Sequence, residues 1–252
     1  MINGLYISAM GLQVQQYRQA VVANNLANSH TAGFKRAIAN MQARANAAIE
    51  DPAMTQYSQD TMNSQFNGGV WAQPTAFDWS QGNLLPTTNN TDLALDGQGF
   101  FSVQNDAGEK FLTRDGEFKL GPAGELLTRN NLKVLDGNGS PITLNPSLPV
   151  SVKATGEISQ AGQTVATLGV LNVNNTNGLE PVGQNMLRLR DGAKTEPATA
   201  QVKQYMTEQS GVDPMAEIVT MMEGQRAFDA NAKMITLQDQ MLSQLSIVGR
   251  VA

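Results

Sequence analysis

A doubled helical periodicity at each end constrains this chain more than any other feature. Near the start, Ile2, Leu5, Ala9, Leu12, Gln16, Gln19, Ala23 and Leu26 recur at alternating spacings of three and four, which is one stripe along a helix. A second stripe, Ile7, Met10, Val14, Tyr17 and Val21, is offset around the same helix. A surface helix of a single domain needs one apolar face, so two predict packing on more than one side. The other end repeats the pattern. After Gly211-Val212-Asp213-Pro214, where Asp213 can cap and Pro214 suits a first turn, the sequence stays helix-compatible to its end. One stripe there is Ile218, Met221, Gln225, Phe228, Ala232, Ile235, Asp239 and Leu242. Another is Ala227, Ala230, Met234, Leu237, Met241 and Val248. The methionines of this arm suit irregular gaps between helices, because an unbranched thioether adapts its shape.

Between the arms the period changes. Short apolar runs such as Phe100-Phe101-Ser102-Val103, Glu117-Phe118-Lys119-Leu120 and Val165 to Leu171 alternate with turn signals at Asn105-Asp106-Ala107-Gly108, Asp115-Gly116 and Asp136-Gly137-Asn138-Gly139. The expected fold class is therefore α+β: N- and C-terminal helices forming a coiled-coil-like pair, with a central all-β domain of small-barrel or sandwich type. The expected division is a helical arm over 1–35, an extended connector over 36–75, a β-rich domain over 76–205 and a second helical arm over 206–252. Within the connector the Ala-rich stretch to about Ile49 is helix-compatible, and polar sequence follows. Each arm alone buries little apolar surface, so both are expected to order on assembly.

Composition narrows the function. Only 15% of residues are charged, against roughly 25% in an ordinary soluble domain, which suits a subunit surrounded by neighbours. A formal net charge of −5 without a basic cluster argues against nucleic acid as partner. The absence of cysteine excludes disulfides and thiolate sites. No basic start with an apolar run marks a cleaved signal, and no long apolar stretch marks a membrane span. Catalytic and cofactor motifs fail one by one. Gly97-Gln98-Gly99 precedes a strand rather than the helix a phosphate loop needs. Asp136, Asn138 and Ser140 mimic a calcium loop, but Pro141 stands at its glycine position. His30 is a single histidine, and the carboxylates Asp92 with Asp96, or Asp106 with Asp115, read as turn residues without desolvation. No catalytic residue, metal site, cofactor or small-molecule substrate is expected, and the chain reads as a non-enzyme.

The stretch Ala23-Asn24-Asn25-Leu26-Ala27-Asn28, followed by Thr31-Ala32-Gly33-Phe34-Lys35-Arg36, resembles the N-terminal signature of flagellar rod and hook proteins. Asp92 to Phe101 resembles their central motif, Leu112 to Phe118 the following hairpin, and Gln225 to Lys233 their C-terminal helix signature. The resemblance implies a subunit exported uncleaved by the flagellar type III apparatus, polymerising helically into the periplasmic drive shaft with itself and other rod and hook subunits. It implies assembly contacts at Ile2, Leu5, Ile7, Leu12, Val14, Val21, Asn24, Asn25, Leu26, Asn28 and Phe34. On the second arm it implies Ile218, Met221, Gln225, Arg226, Phe228, Asn231, Ile235 and Leu242. Within the family, chain length and the Val248-Gly249-Arg250 tail resemble proximal rod members, while Gln81-Gly82-Asn83-Leu84 and Asn89-Asn90 resemble distal ones. A different class, an oligomeric periplasmic or extracellular binding module, would use the β domain to grip a ligand.

Overall fold

The sequence around Asp213 does locally what its residue types dictate. In a computed structural model describing residues 2–43, 69–190 and 192–251, Asp213 Oδ1 accepts the N–H groups of Met215 at 2.9 Å and Ala216 at 3.4 Å. Two orphan N–H donors at the start of helix α2 (Pro214–Val251), whose first residue has none, are thereby satisfied. Helix α1 (Ile2–Ala27) stops just before Asn28-Ser29. The chain divides into two compact units. Unit 1 comprises Met1–Ala27, Ala37–Asp78 and Asp213–Ala252, and unit 2 comprises Asn28–Arg36 and Trp79–Val212.

In unit 1 the two long helices pack antiparallel, and short strands accompany them. Strand β1 (Ala37–Ile38) pairs with β4 (Ala76–Phe77), and β2 (Met41–Ala43) with β3 (Val70–Ala72). The expected helix at the start of the connector is therefore wrong for residues 37–43, which are extended. Asn25 explains the override: its Nδ2 donates to Ala37 O at 2.8 Å while its Oδ1 accepts Ala37 N–H at 2.9 Å. Both backbone groups of Ala37 are thus taken by a side chain, which a continuing helix cannot allow. The remainder of the helix-compatible stretch, residues 44–49, lies outside the described residues.

Unit 2 is β throughout. Its largest sheet is antiparallel, in the order β16 (Leu179–Gly183), β17 (Met186–Leu189), β8 (Lys110–Thr113), β7 (Phe100–Gln104), β11 (Lys133–Val134), β10 (Leu126–Thr128), β9 (Phe118–Leu120). Strand β15 (Val170–Val173) joins β7, and β18 (Thr195–Pro197) joins β15. The end strands β16 and β9 do not pair, so the sheet stays open and is no closed barrel. A three-stranded sheet of β12 (Val150–Val152), β13 (Glu157–Gln160) and β14 (Gln163–Thr167) supplies Val150 and Ile158 to the same core. So does the pair β6 (Leu93–Asp96) and β19 (Gln201–Gln204), through Leu93, Leu95 and Val202. Alternation sorts the faces of β7. Phe101 and Val103 enter this core, with Phe101 edge-on to Phe118 at 5.1 Å, while Phe100 enters a second cluster with Leu112, Val173 and Leu179.

One turn signal closes a hairpin, whereas Asp115-Gly116 lies between β8 and β9, which pair with other strands. Asn105 to Gly108 links β7 to β8, with Asn105 Oδ1 accepting Glu109 N–H at 2.9 Å. The run Val165 to Leu171, read as one strand, is two. Gly169 separates β14 from β15 because its N–H donates to Leu135 O at 3.0 Å and its carbonyl accepts Ser102 N–H at 2.9 Å.

Gly116 marks the tightest approach in the unit: a Cβ there would lie 1.6 Å from Leu93 O, where Leu93 N–H donates to Gly116 O at 3.0 Å. Gly116→Ala is expected to destabilise by about 3 kcal/mol, because backbone must move to admit the methyl. Gly137→Ala, with nothing within 4 Å of its Cβ position, is expected to change stability by under about 0.5 kcal/mol. Thermal unfolding of the two variants side by side checks the contrast.

Candidate assembly site

The contacts between α1 and α2 are made by small residues and amides. The Cβ positions of Gly4 and Gly11 lie 2.8 Å from Gln238 Nε2 and 3.0 Å from Asn231 Nδ2, so each glycine is a socket for an amide of the facing helix. Further along, Gln19 Nε2 donates to Gln225 Oε1 at 2.8 Å, and Gly224 packs on Gln19 Cγ at 3.7 Å from its Cβ position. Gly4 and Gly11 are one heptad apart, as are their partners Gln238 and Asn231, which is coiled-coil spacing with an unusual filling. Near the other end of α1, Tyr17 donates its hydroxyl hydrogen to Gln73 O at 3.3 Å and lies 2.5 Å from Thr75 Oγ1.

Against this seam the expected contact residues fall into three groups. Val14 and Asn25 are buried. Leu5, Leu12, Val21, Leu26, Asn28, Phe34, Met221, Phe228, Asn231 and Ile235 are half-buried. Ile7, Asn24, Ile218, Gln225, Arg226 and Leu242 are exposed. Ile2 lies in α1, and its side chain is outside the described residues. The apolar stripes did not mark the sockets Gly4, Gly11 and Gly224 or their partner Gln238. A search for small residues repeating per heptad would have found the glycines. Large apolar side chains meanwhile face outward on α2: Met215, Ile218, Val219, Met222, Met234, Leu237, Met241 and Leu242 are all exposed.

Unit 2 contains a second site that pattern reading missed. Glu208, at the end of β20 (Met206–Glu208), is 1% exposed. Its Oε1 accepts from Lys35 Nζ at 2.7 Å and from Gly82 N–H at 3.0 Å, and its Oε2 from Arg114 Nε at 2.5 Å. Lys35 also donates to Ser80 O at 2.7 Å. The rest of the Arg114 guanidinium donates to the carbonyls of Leu95 at 3.1 Å, Gly97 at 2.6 Å and Gly99. Two of the quoted signature stretches, carrying Lys35 and Arg114, therefore meet at one carboxylate, and a third, carrying Gly97 to Gly99, holds Arg114. The Gly97-Gln98-Gly99 turn presents carbonyls to a cation, the reverse of a phosphate cradle. Gly211 N–H donates to Phe34 O at 2.9 Å, so the two points where the chain leaves unit 2 are adjacent.

The candidate carboxylates sort differently from the expected pairs. Asp96 lies 3.8 Å from Lys203 and exposed Asp106 lies 3.6 Å from Lys133. Asp92, 5% exposed, is instead close enough to Asp115 to perturb it. Desolvation by burial raises the Asp115 carboxyl to about 6, with Arg129 opposing and Asp92 reinforcing the shift. The reading of these groups as free of desolvation is corrected for Asp115. His30 is exposed at the end of α1.

Two variants test these clusters. Glu208→Gln removes the carboxylate shared by two buried cations and is expected to destabilise unit 2 by about 3–5 kcal/mol, read by chemical denaturation. Asp115 protonates near pH 6 in the fold and near 4 when unfolded, so the native state holds the extra proton between these values. Stability contributed by this group falls as pH rises from about 4 to 6 and stays low above. Asp115→Asn, which keeps the oxygen accepting Glu117 N–H, is expected to gain about 2 kcal/mol at pH 7 and to lose that slope. Unfolding midpoints measured across pH 4 to 8 check both effects.

Comparison with known proteins matches this arrangement along the chain. Residues 5–35 match the family described as flagella basal body rod protein, 94–160 the flagellar hook protein FlgE/F/G D1 domain, and 203–247 the flagellar basal body rod FlgEFG protein C-terminal family. The flagellar basal-body rod protein FlgF of Caulobacter vibrioides is 35% identical over 237 residues, covering 93% of each chain. The rod protein FlgG of Buchnera aphidicola is 32% identical over 265 residues, covering 98% of this chain and 100% of its own. FlgG of Caulobacter vibrioides is 34% identical over 261 residues, covering 97% and 98% respectively. With relatives this similar over nearly their whole length, and with signature segments on both helices and the β unit, the chain belongs to the flagellar basal-body rod protein family and is a structural subunit of the rod.

Proposed function

We propose that this subunit polymerises helically through the outward faces of its terminal helices and forms the proximal part of the periplasmic rod, transmitting torque from motor to hook. One observation carries the assembly reading: eight large apolar residues of α2, from Met215 to Leu242, are exposed while the intramolecular seam is filled by glycines and amides. Apolar surface arranged along a helix and left uncovered is what a second copy would bury. In this reading residues 1–35 and 206–252 are the assembly arms, 36–75 the connector and 76–205 the β-rich rod/hook-type domain. The partners are other copies of the chain and neighbouring rod and hook subunits. Export through the type III apparatus without a cleaved signal accompanies the reading.

The proximal assignment is supported by alignment economy. The FlgF match uses 237 positions for 93% of the chain, whereas the FlgG matches need 261 and 265 positions for 97% and 98%. The FlgG alignments thus carry more gapped positions opposite this chain than the FlgF alignment does.

Leu237→Asp places a carboxylate on the outward face at a residue 52% exposed in the subunit. The variant is expected to fold normally by circular dichroism yet abolish rod assembly and motility, because the charge would be desolvated at the contact. Normal motility would overturn the docking surface. The wild-type chain is expected to restore swimming to a strain lacking its FlgF-type subunit and not to one lacking FlgG; the opposite pattern would make it a distal subunit.

A further inference from the structure

Four of the exposed residues on α2 are thioethers, and they are the oxidisable atoms of the outward face. Met215 is 70% exposed, Met222 51%, Met234 49% and Met241 50%. Met215 and Met222 are one heptad apart, as are Met234 and Met241, so each pair repeats on one side of the helix. Met215 and Met222 lie opposite Gly224, Asn231 and Gln238, which face α1, whereas Met234 and Met241 follow Asn231 and Gln238 by three positions and flank that seam while remaining exposed. The adjacent Met221 is half-buried, as are Met10, Met186 and Met206 in other elements. The sequence has no cysteine, so no thiol of the chain competes for an oxidant and thioethers are its most reactive sulfur.

We infer that Met215, Met222, Met234 and Met241 form an oxidation site on the free subunit, and that sulfoxide there blocks incorporation into the rod. The oxidant is a peroxide or hypohalous acid. A sulfur lone pair attacks the terminal peroxide oxygen, the S–O bond forms as the O–O bond breaks, and the proton moves to the departing oxygen, which leaves as water or alcohol. The thioether loses two electrons and the peroxide gains them. The product is polar and chiral where the reactant was apolar and adaptable. On an exposed helix face this costs the isolated subunit little. Buried against a neighbour, each sulfoxide oxygen needs a hydrogen-bond donor that an apolar contact does not supply. Once assembled, the same contact shields the sulfurs, so sensitivity is confined to subunits in transit. The inference rests on the outward face being the docking surface proposed above.

The test uses the full-length chain, treated with hydrogen peroxide to partial oxidation and offered to isolated basal bodies. Incorporated and free fractions are separated, and sulfoxide is mapped by peptide mass spectrometry. The incorporated fraction is expected to be depleted at least tenfold in sulfoxide at the four positions, and not at Met41, Met186 or Met206. Methionine sulfoxide reductase is expected to restore incorporation of the free fraction, and circular dichroism to show that oxidation leaves the helices intact. Equal sulfoxide at the four positions in both fractions overturns the inference. If Leu237→Asp fails to incorporate while sulfoxide is evenly distributed, the redox inference alone falls; if Leu237→Asp incorporates normally, the docking surface itself falls.

Discussion

The architecture of the β unit depends on where one carboxylate is buried. Glu208 is 173 positions from Lys35 and 94 from Arg114, and all three are nearly inaccessible. A carboxylate in that setting is tolerable only when every lone pair is answered, and here two cations and the Gly82 N–H answer it. Each cation is in turn saturated by backbone carbonyls, from Ser80 on one side and from Leu95, Gly97 and Gly99 on the other. The cluster thus fixes segment 28–36, the segment before β5 (Leu84–Pro86), the β6–β7 turn, the end of β8 and strand β20 against one another. Apolar packing alone would hold these pieces less specifically, because it has no direction.

Unit 1 solves a different problem with weaker contacts. A seam of glycine sockets and amides brings two helix backbones close, and each amide demands a particular facing group. Gln19 to Gln225 and Asn231 at Gly11 therefore set register rather than bulk stability. An apolar seam would have consumed Met222, Leu237 and Met241. Filling it with amides leaves them on the outside.

Local features were legible in the sequence, and long-range ones were not. Both helices, the cap at Asp213 and the hairpin at Asn105 to Gly108 are decided by residues within a turn of each other, so residue type sufficed. The Ala-rich start of the connector was misread because its helix propensity is overridden by Asn25, a tertiary contact. The run Val165 to Leu171 concealed a break because Gly169 answers to Leu135 and Ser102, which belong to other strands. Glu208 was invisible for the same reason on a larger scale. A lone acid in a short strand carries no mark of partners so far away in sequence, although the signature stretches holding those partners stood out. Gly4 and Gly11 escaped because periodicity was sought in large apolar residues, while the seam is periodic in small ones.

These two solutions fit the assembling rod subunit proposed above. A directional seam lets the helices find one register, and leaves the large apolar side chains of α2 exposed among charged neighbours such as Arg226 and Lys233. Thioethers suit such exposed positions better than branched side chains would. Their three rotatable bonds let the same residue pack against differently shaped surfaces, as a subunit at the base or at the end of a growing shaft must do. The adaptability that makes methionine useful there comes from the same exposed, polarisable sulfur that makes it oxidisable, so in the free subunit the two properties cannot be separated.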